Sequence, residues 1–222
     1  MNIAIDGPAG AGKSTIAKIV SAKLGYIYVD TGAMFRAVAY NCTQNGIDAL
    51  DTERISSLAS SADISIRDVG DVQRVFLNDT DVTDHLRDEA VGNMASVVAQ
   101  LPAVRSVLLE LQRKLAREND VVMDGRDIGT CVLPDAELKV YLTASSAVRA
   151  KRRYDELVAK GENPDITVIE KDIIERDERD MNREIAPLKQ ADDAVLVDSS
   201  YMTIDEVADR IISLARDAGA RV

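Results

Sequence analysis

"DGPAGAGKST", residues 6–15, holds a complete GxxxxGK[ST] pattern running from Gly7 to Ser14. Glycines let backbone N–H groups converge on an anion without side-chain obstruction. A helix placed directly after such a loop adds its positive N-terminal end. Gly7, Pro8, Ala9, Gly10, Ala11 and Gly12 make the loop, and Lys13 reaches the β- and γ-phosphates of a nucleoside triphosphate. Ser14 or Thr15 offers a hydroxyl to magnesium. The flanks agree: the apolar run "NIAID" (2–6) precedes the loop as a strand, and "KSTIAKIVSAKLG" (13–25) follows it with helical spacing.

Outward from this loop, short apolar runs alternate with longer helical ones, the pattern of an α/β fold with a parallel sheet. Five runs read as buried strands: "NIAID", "YIYVD" (26–30), "VVMDG" (121–125), "LKVYLT" (138–143) and "AVLVD" (194–198). Four of them close on an aspartate, namely Asp6, Asp30, Asp124 and Asp198. Ligands of open parallel sheets bind beyond the carboxyl ends of the strands, so these carboxylates mark a functional edge; helix capping explains the same placement. "GAMFRAVAYNCTQNG" (32–46) reads as a helix, and "TIDEVADRIISLARDAG" (203–219) as another that opens on a Thr203–Glu206 capping box and closes at Gly219. Residues 63–84 break the rhythm and read as a small antiparallel β insertion. Two helices follow it, one ending before Pro102 and one using Pro102 in its first turn.

The chain has 222 residues, 46% of them hydrophobic, which suits one domain with an inserted lobe. A net charge of -11 argues against a broad nucleic-acid face. No long apolar run or leader pattern is read, so no membrane partner is expected. Cys42 and Cys131 lie outside any CxxC pattern, which favours reduced thiols and a cytoplasmic location. His85 is the only histidine and sits in the polar stretch "DVTDHLRDE", which excludes a histidine-cluster metal site and points to a solvated turn.

Four further segments carry candidate chemistry. "DTGAMFR" (30–36) sets the Thr31 hydroxyl at a strand end and Arg36 one turn into a helix, where its guanidinium can fork onto a phosphate or make a surface ion pair. "MDGRDIGT" (123–130) places Asp124, Arg126 and Asp127 at the end of an apolar strand, the place for a second acid near magnesium. In "ERDERDMNR" (175–183), Arg176, Asp180 and Arg183 stand at i, i+4 and i+7, one face of a helix that is either functional or a solvated ion-pair surface. "SSAVRAKRR" (145–153) concentrates Arg149, Lys151, Arg152 and Arg153 in an acidic chain, as a flap over a triphosphate or a basic solvent-facing helix. No NKxD segment is present, which excludes a Ras-type GTPase.

Taken together, "GPAGAGKST", "DTGAMFR", "NMASVVAQLPAVR", "DGRDIGT", "RAKRR" and "RDERDMNR" followed by "APL" resemble bacterial-type cytidylate kinases over essentially the whole chain. The resemblance implies the P-loop nucleoside monophosphate kinase fold, a five-stranded parallel sheet flanked by helices. It implies a core at about 1–30, 118–144 and 186–222, a monophosphate-binding lobe at about 31–117, and a lid at about 145–165. It implies transfer of the γ-phosphoryl of ATP to CMP or dCMP with magnesium, by a monomer. Carried over by position, Ser96 and Arg105 read the cytosine with help from Asp180, and Arg176 and Asp180 face the ribose. Arg36, Arg126 and Arg183 clamp the acceptor phosphate, Asp127 lies by the acceptor, and Arg152 lies on the ATP side of the lid. Ser14 and Asp124 are the expected metal residues. Two positions depart from the family pattern: Thr31 stands where many members have serine, and Ser14 where some have glycine. Both departures keep or add a hydroxyl. Three other readings stay open on the sequence: a broader pyrimidine kinase accepting UMP, a kinase of a non-nucleotide metabolite, and a nucleotide-binding module without turnover.

Overall fold

In the computed structural model, residues 1–69 and 72–220 are described. The strands are β1 (Asn2–Asp6), β2 (Ile27–Asp30), β3 (Ile64–Val69), β4 (Val72–Leu77), β5 (Thr80–Asp81), β6 (Val121–Gly125), β7 (Leu138–Thr143) and β8 (Val195–Asp198). The helices are α1 (Lys13–Leu24), α2 (Thr31–Gln44), α3 (Thr52–Ser61), α4 (Glu89–Val98), α5 (Pro102–Glu118), α6 (Ser146–Ala159), α7 (Ile166–Asn182) and α8 (Ile204–Asp217). The chain divides into two units, Met1–Tyr28 with Asn119–Val222, and Val29–Glu118.

All five runs expected as strands form one five-stranded sheet in the order β2-β6-β1-β7-β8. In the first unit β1 lies centrally and pairs in parallel with β6 and β7, with Ile3 opposite both Val122 and Leu138. Strands covered on both faces need no polar alternation, and Ile3, Ala4, Ile5, Val121, Val122 and Met123 are all fully buried. Helices α1 and α8 press Ile16, Val20, Val207 and Ile211 onto this sheet in a single apolar cluster. Each such side chain taken from water contributes roughly 1.5–3 kcal/mol. The capping box of α8 forms as expected: Thr203 Oγ1 accepts from Glu206 N, and the Glu206 carboxylate accepts from Thr203 N. Helices α6 and α7 pack on each other as a hairpin within this unit.

The second unit is built on α2, which packs against α4 and α5, while α3 packs on α5. Asp30 caps α2 by accepting from Ala33 N at 2.8 Å. The insertion is antiparallel as expected: β3-β4-β5 form a three-stranded sheet, with Ile66 opposite Val75 and Leu77 opposite Thr80. Asn78 and Asp79 take positive φ in its β4–β5 turn, residue types that tolerate that conformation. Residues 70 and 71 of the expected insertion lie outside the described residues. His85 is exposed and stacks on Tyr40 with ring centroids 5.3 Å apart. Among the described residues no single helix is long and apolar enough to cross a membrane.

Candidate active site

The phosphate loop is held in a shape only its own sequence allows. Gly7 has φ +148°, and a Cβ there would stand 1.9 Å from the carbonyl oxygen of Leu142 on β7. Gly12, at φ 88° and ψ 9°, is the N-cap of α1. Lys13 is buried, and its ammonium donates to Pro8 O at 2.7 Å. Burial above all, then the Arg126 charge, pushes the Lys13 pKa down to about 7; Asp124 and Asp6 oppose the shift and Arg176 adds to it.

Next to the lysine, Ser14 Oγ donates to Asp124 Oδ2 at 2.9 Å, and Tyr28 Oη donates to Asp124 Oδ1 at 2.9 Å. A hydroxyl and a carboxylate in contact, both oxygen donors, are the kind of sparse protein set that magnesium takes alongside water and phosphate. Ser14 thus carries the hydroxyl that meets Asp124. Among the described residues no group of three or more His, Cys, Asp or Glu side chains could hold a metal ion. Asp6 does not face outward from its strand end. Its carboxylate is buried and accepts from Ile128 N and Gly129 N, and burial lifts its pKa to about 6. Asp198 is also spent locally, accepting from Ser200 N at 2.9 Å. The aspartate pattern therefore divides: Asp124 meets the loop serine, Asp30 caps a helix, and Asp6 and Asp198 fix turns.

Arg126 and Arg183, also in the first unit, each hold a carboxylate. Arg126 Nε pairs with Asp180 Oδ2 at 2.9 Å. Arg183 Nη2 pairs with Asp127 Oδ1 at 2.9 Å, with both side chains less than a tenth exposed. Arg183 is not on the helical face expected for it. Helix α7 ends at Asn182, and Arg183 turns away in extended geometry, φ -64° and ψ 141°. Ala186 takes φ 50° just before Pro187, and Leu188 N returns to Asp180 O at 2.8 Å. That turn, not helical spacing, brings Arg183 to Asp127. Arg176 and Asp180 remain on α7.

The basic segment on α6 splits by direction. Lys151 and Arg153 pair with Asp155 and Glu156 in solvent. Arg152 Nη2 donates to Ser199 O at 2.8 Å. Arg149 is buried: Nε donates to Ala144 O and Nη1 to Ala9 O, each at 2.9 Å, and Nη2 pairs with Asp177 at 2.6 Å. It grips a loop carbonyl directly, and sequence inspection does not single it out from its basic neighbours.

In the second unit, Arg36 pairs with Asp30 at 3.2 Å, and its Nε is buried with no hydrogen-bond partner among the described residues. Thr31 is buried in the first turn of α2. Arg105 donates to Ala99 O at 3.3 Å and lies 5.6 Å from the Phe35 ring centre. Ser96 is half-buried on α4, its hydroxyl 3.4 Å from Gly92 O.

The family model for cytidylate kinase matches residues 3–217. The chain belongs to the cytidylate kinase family. A cytidylate kinase of Leuconostoc mesenteroides is 51% identical over 96% of this chain and 95% of its own. One of Listeria innocua is 52% identical, again over 96% of this chain and 95% of its own. One of Bacillus subtilis is 47% identical over the same shares. Among solved structures, an uncharacterized protein from Eubacterium ventriosum superposes with TM-score 0.54 at 13% identity, covering 97% of this chain and 98% of its own. A Thermus thermophilus protein reaches 0.50 at 18% identity, covering 100% of this chain and 98% of its own. These two likenesses bear on the fold alone. The phosphate loop and the Arg126–Asp180 and Arg183–Asp127 ion pairs lie inside the stretch matched to the cytidylate kinase family.

Proposed function

We propose that this cytidylate kinase family member transfers the γ-phosphoryl group of ATP to CMP or dCMP, giving ADP and CDP or dCDP. The observation that supports it most is the cytidylate kinase match from residue 3 to 217 over a chain whose loop lysine, Lys13, is in place. An oxygen of the acceptor phosphate attacks the γ-phosphorus, the bond to the β–γ bridging oxygen breaks, and ADP leaves. The acceptor phosphate is already largely ionised at neutral pH, so no dedicated base is required. Catalysis then reduces to alignment and charge neutralisation.

The loop N–H groups of Gly7 and of residues 9–15, together with Lys13, hold the donor phosphates, with Arg152 on the ATP side. By family resemblance, Arg36, Arg126 and Arg183 each offer a guanidinium to the acceptor phosphate. Asp127 lies by the acceptor. Ser96 and Arg105 read the base with help from Asp180, Arg176 and Asp180 face the ribose, and Thr31 adds a hydroxyl. Residues 145–165 close over the donor and exclude water. Ser14 and Asp124 would hold magnesium, which would supply positive charge to offset that of the phosphates.

A coupled ADP-release assay with CMP, dCMP, UMP, AMP and GMP offered separately tests this reading. CMP and dCMP should drive ADP release well above the rate without acceptor. Equal rates with UMP point to a broader pyrimidine kinase, and no acceptor dependence overturns the proposal.

A further inference from the structure

The turn after β6 raises a hydrogen-bond accounting question. The first backbone N–H groups of a helical turn have no acceptor within it. A side chain at the N-cap usually supplies one, and aspartate is among the best residues for the task. In the π-helical turn Ile128–Val132 the N-cap residue is Asp127, yet its side chain makes no capping hydrogen bond. Asp6 caps the turn instead, from the end of β1. Its Oδ1 accepts from Ile128 N at 2.8 Å, and its Oδ2 accepts from Gly129 N at 2.7 Å. The turn sits closely on that carboxylate: a Cβ on Gly129 would stand 3.4 Å from Asp6 Oδ2 and 3.1 Å from Lys139 Cδ. Both N–H groups need an acceptor at once, and only a carboxylate presents two acceptor oxygens, one for each. An asparagine would turn an NH₂ on one of them.

We propose that Asp6 is a positioning residue for phosphoryl transfer: by capping the 128–132 turn from β1, it leaves the Asp127 carboxylate to Arg183 and not to its own helix end. Asp6 also directly precedes Gly7, so one residue joins the start of the phosphate loop to the turn that carries Arg126 and Asp127. This inference rests on the proposed placement of Asp127 by the acceptor.

The test is a double-mutant cycle over Asp6→Asn and Asp127→Ala, read as steady-state rates with ATP and CMP. A hydrogen bond to a charged group is worth about a tenfold or larger change in rate. Asp6→Asn should lower kcat about tenfold or more while the ATP KM stays within about twofold, the scatter of independent sites. The double variant should fall no more than about twofold below Asp127→Ala. Multiplying losses, or an Asp6→Asn defect confined to the ATP KM, would overturn the inference. If Asp6→Asn does not fold, Asp6→Ser, which keeps one acceptor oxygen, carries the same cycle. A crystal structure of the position-6 variant reads the inference without substrate. Asp127 accepting from Gly129 N or Thr130 N supports it, and Asp127 still on Arg183 overturns it. That readout stands even if the unmodified enzyme fails to use CMP, so failure of the proposed function and failure of this inference are distinguishable.

Discussion

Lys13 offers a proton count that calorimetry can check. In the free protein its pKa is pushed down to about 7, chiefly by burial. Donor phosphates placed against the ammonium favour its charged form and return it toward its ordinary value near 10. At pH 8 a group with a pKa of about 7 carries about 0.1 proton, and one with a pKa near 10 carries about 1, so binding takes up about 0.9 proton. At pH 6 the lysine is already charged and its own share of the uptake falls to about 0.1, while Asp6 and the γ-phosphate, both near 6, titrate there as well, so the lysine is read at pH 8. By linkage, ATP affinity drops about eightfold between pH 7.5 and 8.5. No other shifted group among the described residues interferes at pH 8. Asp6, at about 6, is ionised there, and Tyr26, Tyr141 and Cys42 are all pushed upward and stay protonated. The γ-phosphate, with a pKa of about 6, is ionised as well. Isothermal titration of ATP without acceptor, in buffers of different ionisation enthalpy, yields the number of protons as a slope. Lys13→Arg, which is always charged, should bind without uptake. Uptake below about 0.3 proton at pH 8, or undiminished uptake in Lys13→Arg, would refute the argument.

The same lysine bears on stability. The unfolded chain keeps the Lys13 proton up to about 10.5 and the folded one releases it near 7, so stability rises with pH across that window and the full burial cost is present below it. Lys13→Met should therefore melt above the wild type at pH 6, with the advantage shrinking as pH approaches 10.5 in thermal denaturation. Arg149→Met should cost about 3–5 kcal/mol in urea unfolding, because it strands the buried Asp177 carboxylate; adding Asp177→Leu should recover most of that loss. For the clamp, Arg183→Ala should lower kcat or raise the CMP KM by about 10- to 150-fold, and unchanged values of both would remove Arg183 from the acceptor site.

The sheet was legible because its strands are short apolar runs buried on both faces, and the N-terminal ends of α5 and α8 because Pro102 and the Thr203–Glu206 pair act through neighbours close in sequence. The Ser14–Asp124 contact could be anticipated from a strand end beside a phosphate loop. Other features depend on partners distant in sequence or on chain direction. Nothing around Asp6 announces that its acceptors serve N–H groups more than a hundred residues later. Arg149 looks like its basic neighbours until the direction of α6 turns it toward Ala9 and Asp177. Arg183 has helical spacing from Arg176, but the helix stops one residue before it, and periodicity carries no information beyond a helix end. Helix α3 follows a capping Asp51 and buries only Ile55 and Ala59, too thin an apolar stripe to stand out in the sequence.

The arginines proposed for the acceptor share a resting condition: Arg36 holds Asp30, Arg126 holds Asp180 and Arg183 holds Asp127. Each guanidinium is thus occupied by a competitor belonging to the same molecule. An incoming phosphate must outbid a tethered carboxylate, and a small anion with one weak foothold does so poorly. A nucleotide anchored also by its base and sugar does so well. On the proposed assignment, the resting protein would act as its own mild inhibitor, and selectivity against stray anions would be set before any substrate arrives.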